Sequence, residues 1–105
     1  SEIHVAEVKL ANCRWAALAY ALFMGKLPQT FEDLRVLPDG YDLQLPNNQL
    51  PIRGDLIDPW DNPYRMEVVS PQSIKFSSDG PDGKPDTEDD VIVVFDRQQR
   101  LEMLP

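Results

Sequence analysis

The first part of the chain carries a helical pattern of apolar residues. Apolar side chains recur there at spacings of three and four, which predicts an amphipathic helix over residues 3–24. The predicted apolar stripe consists of Val8, Ala11, Trp15, Leu18 and Leu22. Gly25, followed closely by Pro28, is typical of a helix end and predicts where this helix stops.

The second half of the chain has the short apolar runs of a sheet. Runs rich in β-branched and aromatic residues predict strands over residues 64–69, 73–77 and 91–95. Because residues 70–72 alone separate the first two, we expect an antiparallel hairpin. A further edge strand is predicted over residues 101–103.

The intervening stretch holds a short helix and a loop. Thr30 as N-cap, with Asp33 in the reciprocal capping position, predicts a short helix over residues 31–36. Pro, Asn and Gly residues punctuate residues 41–61, which predicts an ordered loop with an extended piece over residues 41–45. The predicted fold is α+β, with one long N-terminal helix packed on a three- to four-stranded antiparallel sheet in a single domain, residues 1–105.

Charge and composition exclude several functions. The formal net charge of -8 disfavours binding to nucleic acid or to anionic lipid, both of which require clustered cations. Cys13 is the single cysteine, so an internal disulfide is excluded. His4 is the single histidine and lies on the first helical turn, so no Ser-His-Asp set is predicted. We therefore expect no enzymatic activity.

Residues 77–90, here called the acidic loop, carry the most informative chemistry. Six of the 18 acidic residues fall within it, namely Asp79, Asp82, Asp86, Glu88, Asp89 and Asp90, and only Lys84 offsets them within the segment. Calcium prefers hard oxygen ligands of this kind, and Gly80 and Gly83 allow tight turns that aim carbonyls inward. The spacing excludes an EF-hand. A solvated acidic turn without a metal is the alternative.

Three features together resemble one protein family. The segment Asp58-Pro-Trp-Asp-Asn-Pro-Tyr64 resembles the D-P-W-G-N-P-Y signature of the major pseudopilins of bacterial type II secretion, with Asp61 in place of the glycine. The long helix ending in Gly25-Lys-Leu-Pro28, and the run Ser78-Asp-Gly-Pro-Asp-Gly83 followed by the Asp89-Asp90 pair, are similar to the same family.

The resemblance implies a pilin-like soluble domain that serves as a structural subunit and supports protein export. In that family the loop binds calcium, and by position the ligands would be the Asp82 and Asp90 carboxylates, then Asp89, with the backbone carbonyl of Asp79. Asp86 and Thr87 fall where the loop length differs, so no role is carried over to them.

The same resemblance implies partners and a location. The partners would be other pseudopilin subunits, as homopolymer and as minor pseudopilins, together with the secretion machinery. The location would be the periplasm, with the full-length form anchored in the inner membrane through the hydrophobic half of the N-terminal helix, which is absent from this sequence.

A calcium-dependent binding module remains the alternative function. In it the acidic loop and Trp60 would contact a protein or carbohydrate partner, with Trp60 and Tyr64 as a stacking platform. The competing interpretation is that these two aromatic residues pack downward and hold a loop against the core.

Overall fold

The computed structural model describes residues 1–35, 52 and 54–99. A long helix packs against a three-stranded antiparallel sheet in the order β1-β2-β3, which confirms the predicted α+β arrangement. Predictions for residues 36–51, and for an edge strand over residues 101–103, lie outside the described residues.

Helix α1 spans Glu2–Met24, close to the predicted bounds. Ser1 caps its start, with the His4 N–H donating to Ser1 Oγ (3.2 Å). Gly25 ends it in the left-handed region (φ 74°), where its N–H donates to the Ala21 carbonyl (3.1 Å). No helix in the described part of the chain combines the length and hydropathy needed to cross a bilayer.

The buried face of α1 differs from the predicted stripe. Leu18 is buried as predicted, but Val8, Ala11 and Trp15 are only partly buried and Leu22 is 37% exposed. The face against the sheet instead runs through Ala6, Leu10, Cys13, Ala17 and Ala21. Four of these five side chains are small, which lets the helix backbone approach the sheet closely. The prediction rested on apolar spacing alone, and it chose the wrong phase for the buried face.

The sheet matches the predicted strands closely. Strand β1 spans Arg65–Ser70, β2 spans Ser73–Ser78 and β3 spans Val91–Asp96. Both neighbouring pairs are antiparallel, which confirms the predicted hairpin. Ile74, Phe76 and Phe95 are fully buried and form the sheet side of the core.

The short helix is a 3₁₀ turn, Phe31–Arg35. The Asp33 carboxylate accepts a hydrogen bond from the Gln29 N–H (2.9 Å), one residue earlier than the predicted capping box requires. The ring of Phe31 lies 6.2 Å from that of Phe76, so this turn extends the core past the end of α1.

Candidate functional site

Residues 58–64, here called the Asp58 turn, form a compact loop before β1. The Asp58 N–H donates to the Asn62 carbonyl (2.7 Å), and the Asp61 N–H donates to the Asp58 carbonyl (3.0 Å). Asp58 Oδ1 accepts from the Trp60 N–H (3.1 Å) and the Asn62 N–H (2.8 Å). The Asp58 side chain therefore closes the turn, as short polar side chains commonly do.

Asp61 takes the position of the family's glycine. Its φ is 68°, in the left-handed region that favours glycine and that aspartate tolerates better than most residues. The replacement therefore keeps the backbone path of the turn.

The second oxygen of Asp58 connects this turn to the acidic loop. Ser78 Oγ donates to Asp58 Oδ2 (2.7 Å) and accepts from the Gly80 N–H (3.0 Å). Ser78 is 0% exposed and Asp58 is 4% exposed, so water does not compete effectively for these bonds. Two motifs separated by 20 positions in the sequence are thus one hydrogen-bonded unit.

Two glycines permit close approaches, one within the acidic loop and one between this loop and the Asp58 turn. A Cβ at Gly80 would overlap the Asp89 carbonyl oxygen, so the two ends of the loop approach each other closely there. A Cβ at Gly83 would lie 3.2 Å from Asn62 Nδ2 in the Asp58 turn. Both glycines also have positive φ, so conformation favours glycine at both positions, and at Gly80 the lack of space requires it as well.

Asp79 is held by an ion pair with the sheet. Arg65 Nε and Nη2 donate to its two carboxylate oxygens at 2.8 and 3.0 Å. The Asp79 side chain is 5% exposed and that of Arg65 is 53% exposed. This bidentate hydrogen bond and the charge of Asp79 raise the pKa of Arg65. The carboxylate of Asp79 is engaged, which leaves its backbone carbonyl as the predicted ligand atom.

Two cations from the sheet offset the acidic loop, in addition to Lys84 within it. Besides Arg65, Lys75 Nζ lies 3.9 Å from Asp86 Oδ1. A cavity of ≈ 180 Å³ lies between the loop and the outer face of the sheet, lined in part by Arg65, Lys75, Ser77, Asp86 and Asp90. The alternating pattern of β1 and β2 places these cations on one face, which is the signal that could have found them.

The two foremost predicted ligands, Asp82 and Asp90, each accept hydrogen bonds from nearby loop residues. The Thr87 hydroxyl donates to Asp90 Oδ1 (3.2 Å), and Asp90 Oδ2 accepts from the Asp86 N–H (2.9 Å). Asp82 Oδ1 accepts from the Lys84 N–H (2.9 Å). The backbone hydrogen bond from Lys84, and then the effect of the nearby Thr87 hydroxyl, lower the pKa of Asp82. Sequence reasoning assigned no role to Thr87.

Asp89, the third predicted carboxylate ligand, is exposed. Within residues 1–35, 52 and 54–99, no three His, Cys, Asp or Glu side chains form a group that could hold a metal. The donor set around Thr87 nevertheless fits a hard cation in kind, because it consists of carboxylate, hydroxyl and carbonyl oxygens.

The remaining candidate residues belong to the core. Tyr64 is buried and Trp60 packs partly against the hydrophobic core, which confirms the packing interpretation over the stacking platform. Burial raises the pKa of Tyr64 to about 12, with the nearby Asp58 charge adding to the effect. Burial likewise raises the pKa of the Cys13 thiol to about 12, so this thiol is protonated at neutral pH.

The comparison with protein families decides what this arrangement belongs to. The family described as type II secretion system (T2SS), protein G, matches residues 1–95. The chain belongs to this family. No curated protein and no solved structure shows significant similarity to it.

Membership makes the chain a major pseudopilin, a structural subunit of the pseudopilus in type II secretion. The family is structural rather than enzymatic, and its members assemble with other pseudopilins in the secretion machinery. The match ends at Phe95, the last residue of the core in β3. The Asp58 turn and the whole acidic loop fall inside it.

Proposed function

We propose that this pseudopilin is a calcium-stabilised subunit of a periplasmic filament that supports protein export. Copies of the chain would form the filament together with minor pseudopilins, and the full-length form would be anchored in the inner membrane. Calcium would act on the acidic loop, with the Asp82 and Asp90 carboxylates and the Asp79 backbone carbonyl as ligands and Asp89 as a further carboxylate.

One observation carries the calcium part of the proposal. The Thr87 hydroxyl and the Asp86 N–H hold the Asp90 carboxylate, and the same hydroxyl is among the groups that lower the pKa of Asp82. Among the described residues, neither carboxylate forms an ion pair with a cationic side chain. Arg65 and Lys75 hold Asp79 and Asp86 from the other side. The loop is therefore closed, yet two of its acidic groups are left for an added positive charge.

Calcium would supply a hard positive charge that binds several oxygens at once. The residues of the chain would supply a loop that is already closed, so less chain entropy is lost on binding. At a free concentration ~100 times its Kd, an ion that binds only the folded state adds ~2.7 kcal/mol of stability. That is a large share of the ~5–15 kcal/mol typical of a domain.

Thermal unfolding of matched variants tests this. Asp82→Asn and Glu88→Gln each remove one negative charge from an exposed position of the acidic loop, but only Asp82 is a proposed ligand. We expect calcium to raise the Tm of the wild type and of Glu88→Gln above the value in chelator. The rise should largely disappear in Asp82→Asn, whereas the three proteins should have similar Tm values in chelator.

Magnesium at equal ionic strength controls for general screening of charge. Equal gains from magnesium and calcium, or equal gains in all three proteins, would contradict a specific calcium site. A wild-type Tm that calcium leaves unchanged would remove the calcium part and leave the structural subunit.

A further inference from the structure

The peptide unit between Asp79 and Gly80 is held from its nitrogen side. The carbonyl of Asp79 and the N–H of Gly80 belong to the same planar trans peptide, so they point in opposite directions and rotate together. Any group that fixes the Gly80 N–H therefore also fixes the direction of the Asp79 carbonyl. Ser78 Oγ is such a group, because it accepts this N–H at 3.0 Å.

Asp58 decides which way the Ser78 hydroxyl points. A serine hydroxyl has one proton to donate and lone pairs with which to accept. Asp58 Oδ2 takes the proton at 2.7 Å, which leaves a lone pair directed at the Gly80 N–H. Without the Asp58 acceptor, that proton could turn toward the N–H and oppose the same bond.

Burial limits the alternatives to this chain of hydrogen bonds. Asp58, Ser78 and Asp79 are 4%, 0% and 3% exposed. Gly80 is buried against the Asp89 carbonyl, with no room for a side chain. The peptide unit consequently has few other orientations that would satisfy its buried polar groups.

We propose that Asp58 and Ser78 are positioning residues for calcium, acting through the Gly80 N–H to aim the Asp79 carbonyl at the ion. Neither residue would touch the ion. This inference rests on the proposed calcium site and explains why the Asp58 turn and the acidic loop occur together in one fold. It assigns to the D-P-W segment a role in setting calcium affinity, beyond closing its own turn.

Asp58→Asn separates the positioning role from the turn. The amide retains an oxygen that can accept from the Trp60 and Asn62 N–H groups, so the turn can still close. The amide NH₂ of asparagine would then face Ser78 as a donor, where aspartate offers an acceptor. This reverses the polarity of that hydrogen bond. Ser78→Ala removes the relay itself. Ser77→Ala is the matched control, because Ser77 is the buried neighbour whose hydroxyl takes no part in this network.

Isothermal titration with calcium, on folded protein well below each Tm, gives the Kd of each variant. Loss of groups that orient metal ligands commonly weakens binding by about 10- to 100-fold. We expect a loss in that range for Ser78→Ala and Asp58→Asn, a Kd near that of wild type for Ser77→Ala, and partial recovery in Ser78→Thr, which keeps the hydroxyl. Hydrogen exchange in chelator should also be faster at the Gly80 amide of Ser78→Ala than of Ser77→Ala.

The outcomes separate the two proposals. If the wild type binds calcium and Ser78→Ala binds it equally well, the positioning role is wrong and the calcium site stands. If Ser77→Ala loses as much affinity as Ser78→Ala, the effect is general loosening and the positioning role is again wrong. If the wild type does not bind calcium, both proposals fall together.

Discussion

The helix–sheet core and the corner formed by the Asp58 turn and the acidic loop are stabilised by different forces. The core consists of apolar groups, with Leu10, Phe76 and Phe95 each 0% exposed. The corner buries polar groups instead. Burial of Asp58, Ser78 and Asp79 is tolerated there because each has hydrogen-bond partners. Apolar burial is non-directional, whereas a buried polar group is stable only in the geometry that satisfies it.

This difference indicates which part of the chain depends on particular side chains. The core tolerates any well-packed apolar set of suitable volume. The corner depends on individual atoms, because each Asp58 oxygen has an assigned donor. A pseudopilin that must present one fixed surface to its neighbours would gain more from the second kind of contact.

Removal of a core ring should have the largest effect. Phe76→Ala deletes a fully buried side chain that faces α1 and lies 6.2 Å from the Phe31 ring. A change of this kind typically lowers the free energy of unfolding by about 3–5 kcal/mol. Chemical denaturation should show this loss equally in calcium and in chelator, and a loss confined to one condition would break the division between core and corner.

Removal of the turn carboxylate should come next. Asp58→Ala leaves the Trp60 and Asn62 N–H groups and the Ser78 hydroxyl without their buried acceptor. Unsatisfied buried groups cost about 1–3 kcal/mol each and are not additive, so we expect about 2–4 kcal/mol in chelator. An unchanged denaturation midpoint in chelator would contradict the structural part of the role of Asp58.

Replacement of the sheet cation should have a smaller effect. Arg65→Gln removes the bidentate partner of a nearly buried Asp79 carboxylate while keeping a long polar side chain. We expect a lower Tm than wild type in chelator, with a smaller decrease than for Asp58→Ala, because Arg65 is half exposed and solvent can replace part of the interaction. A Glu67→Gln variant on the same strand controls for the change in local charge, and an equal decrease there would remove the specific role of Arg65.

Local patterns predicted most of the fold. The bounds of α1 and of all three strands followed from apolar spacing and from Gly25, because these signals act over a few residues. The phase of the buried helix face was wrong because it depends on how closely two elements approach. The closeness of α1 to the sheet depends on small buried residues such as Ala17 and Cys13. It has no local signal in the sequence.

The segments that form the candidate site were predictable from the sequence, but the contacts between them were not. The acidic loop and the Asp58 turn were each recognisable from their composition and from the positions of their Gly and Pro residues. Their joining through Ser78, and the pairing of Arg65 with Asp79, depend on strand register. Register pairs residues that are distant in sequence, so pattern reasoning on one sequence did not reach them.

Native-state hydrogen exchange, with and without calcium, tests the central claim most directly. The claim is that the corner is a separate polar unit that calcium locks, while the core is stable by itself. We predict that calcium slows exchange at the Gly80, Gly83 and Asp90 amides much more than at the Phe76 amide. Equal slowing at all four amides, or none at the corner, would contradict the account.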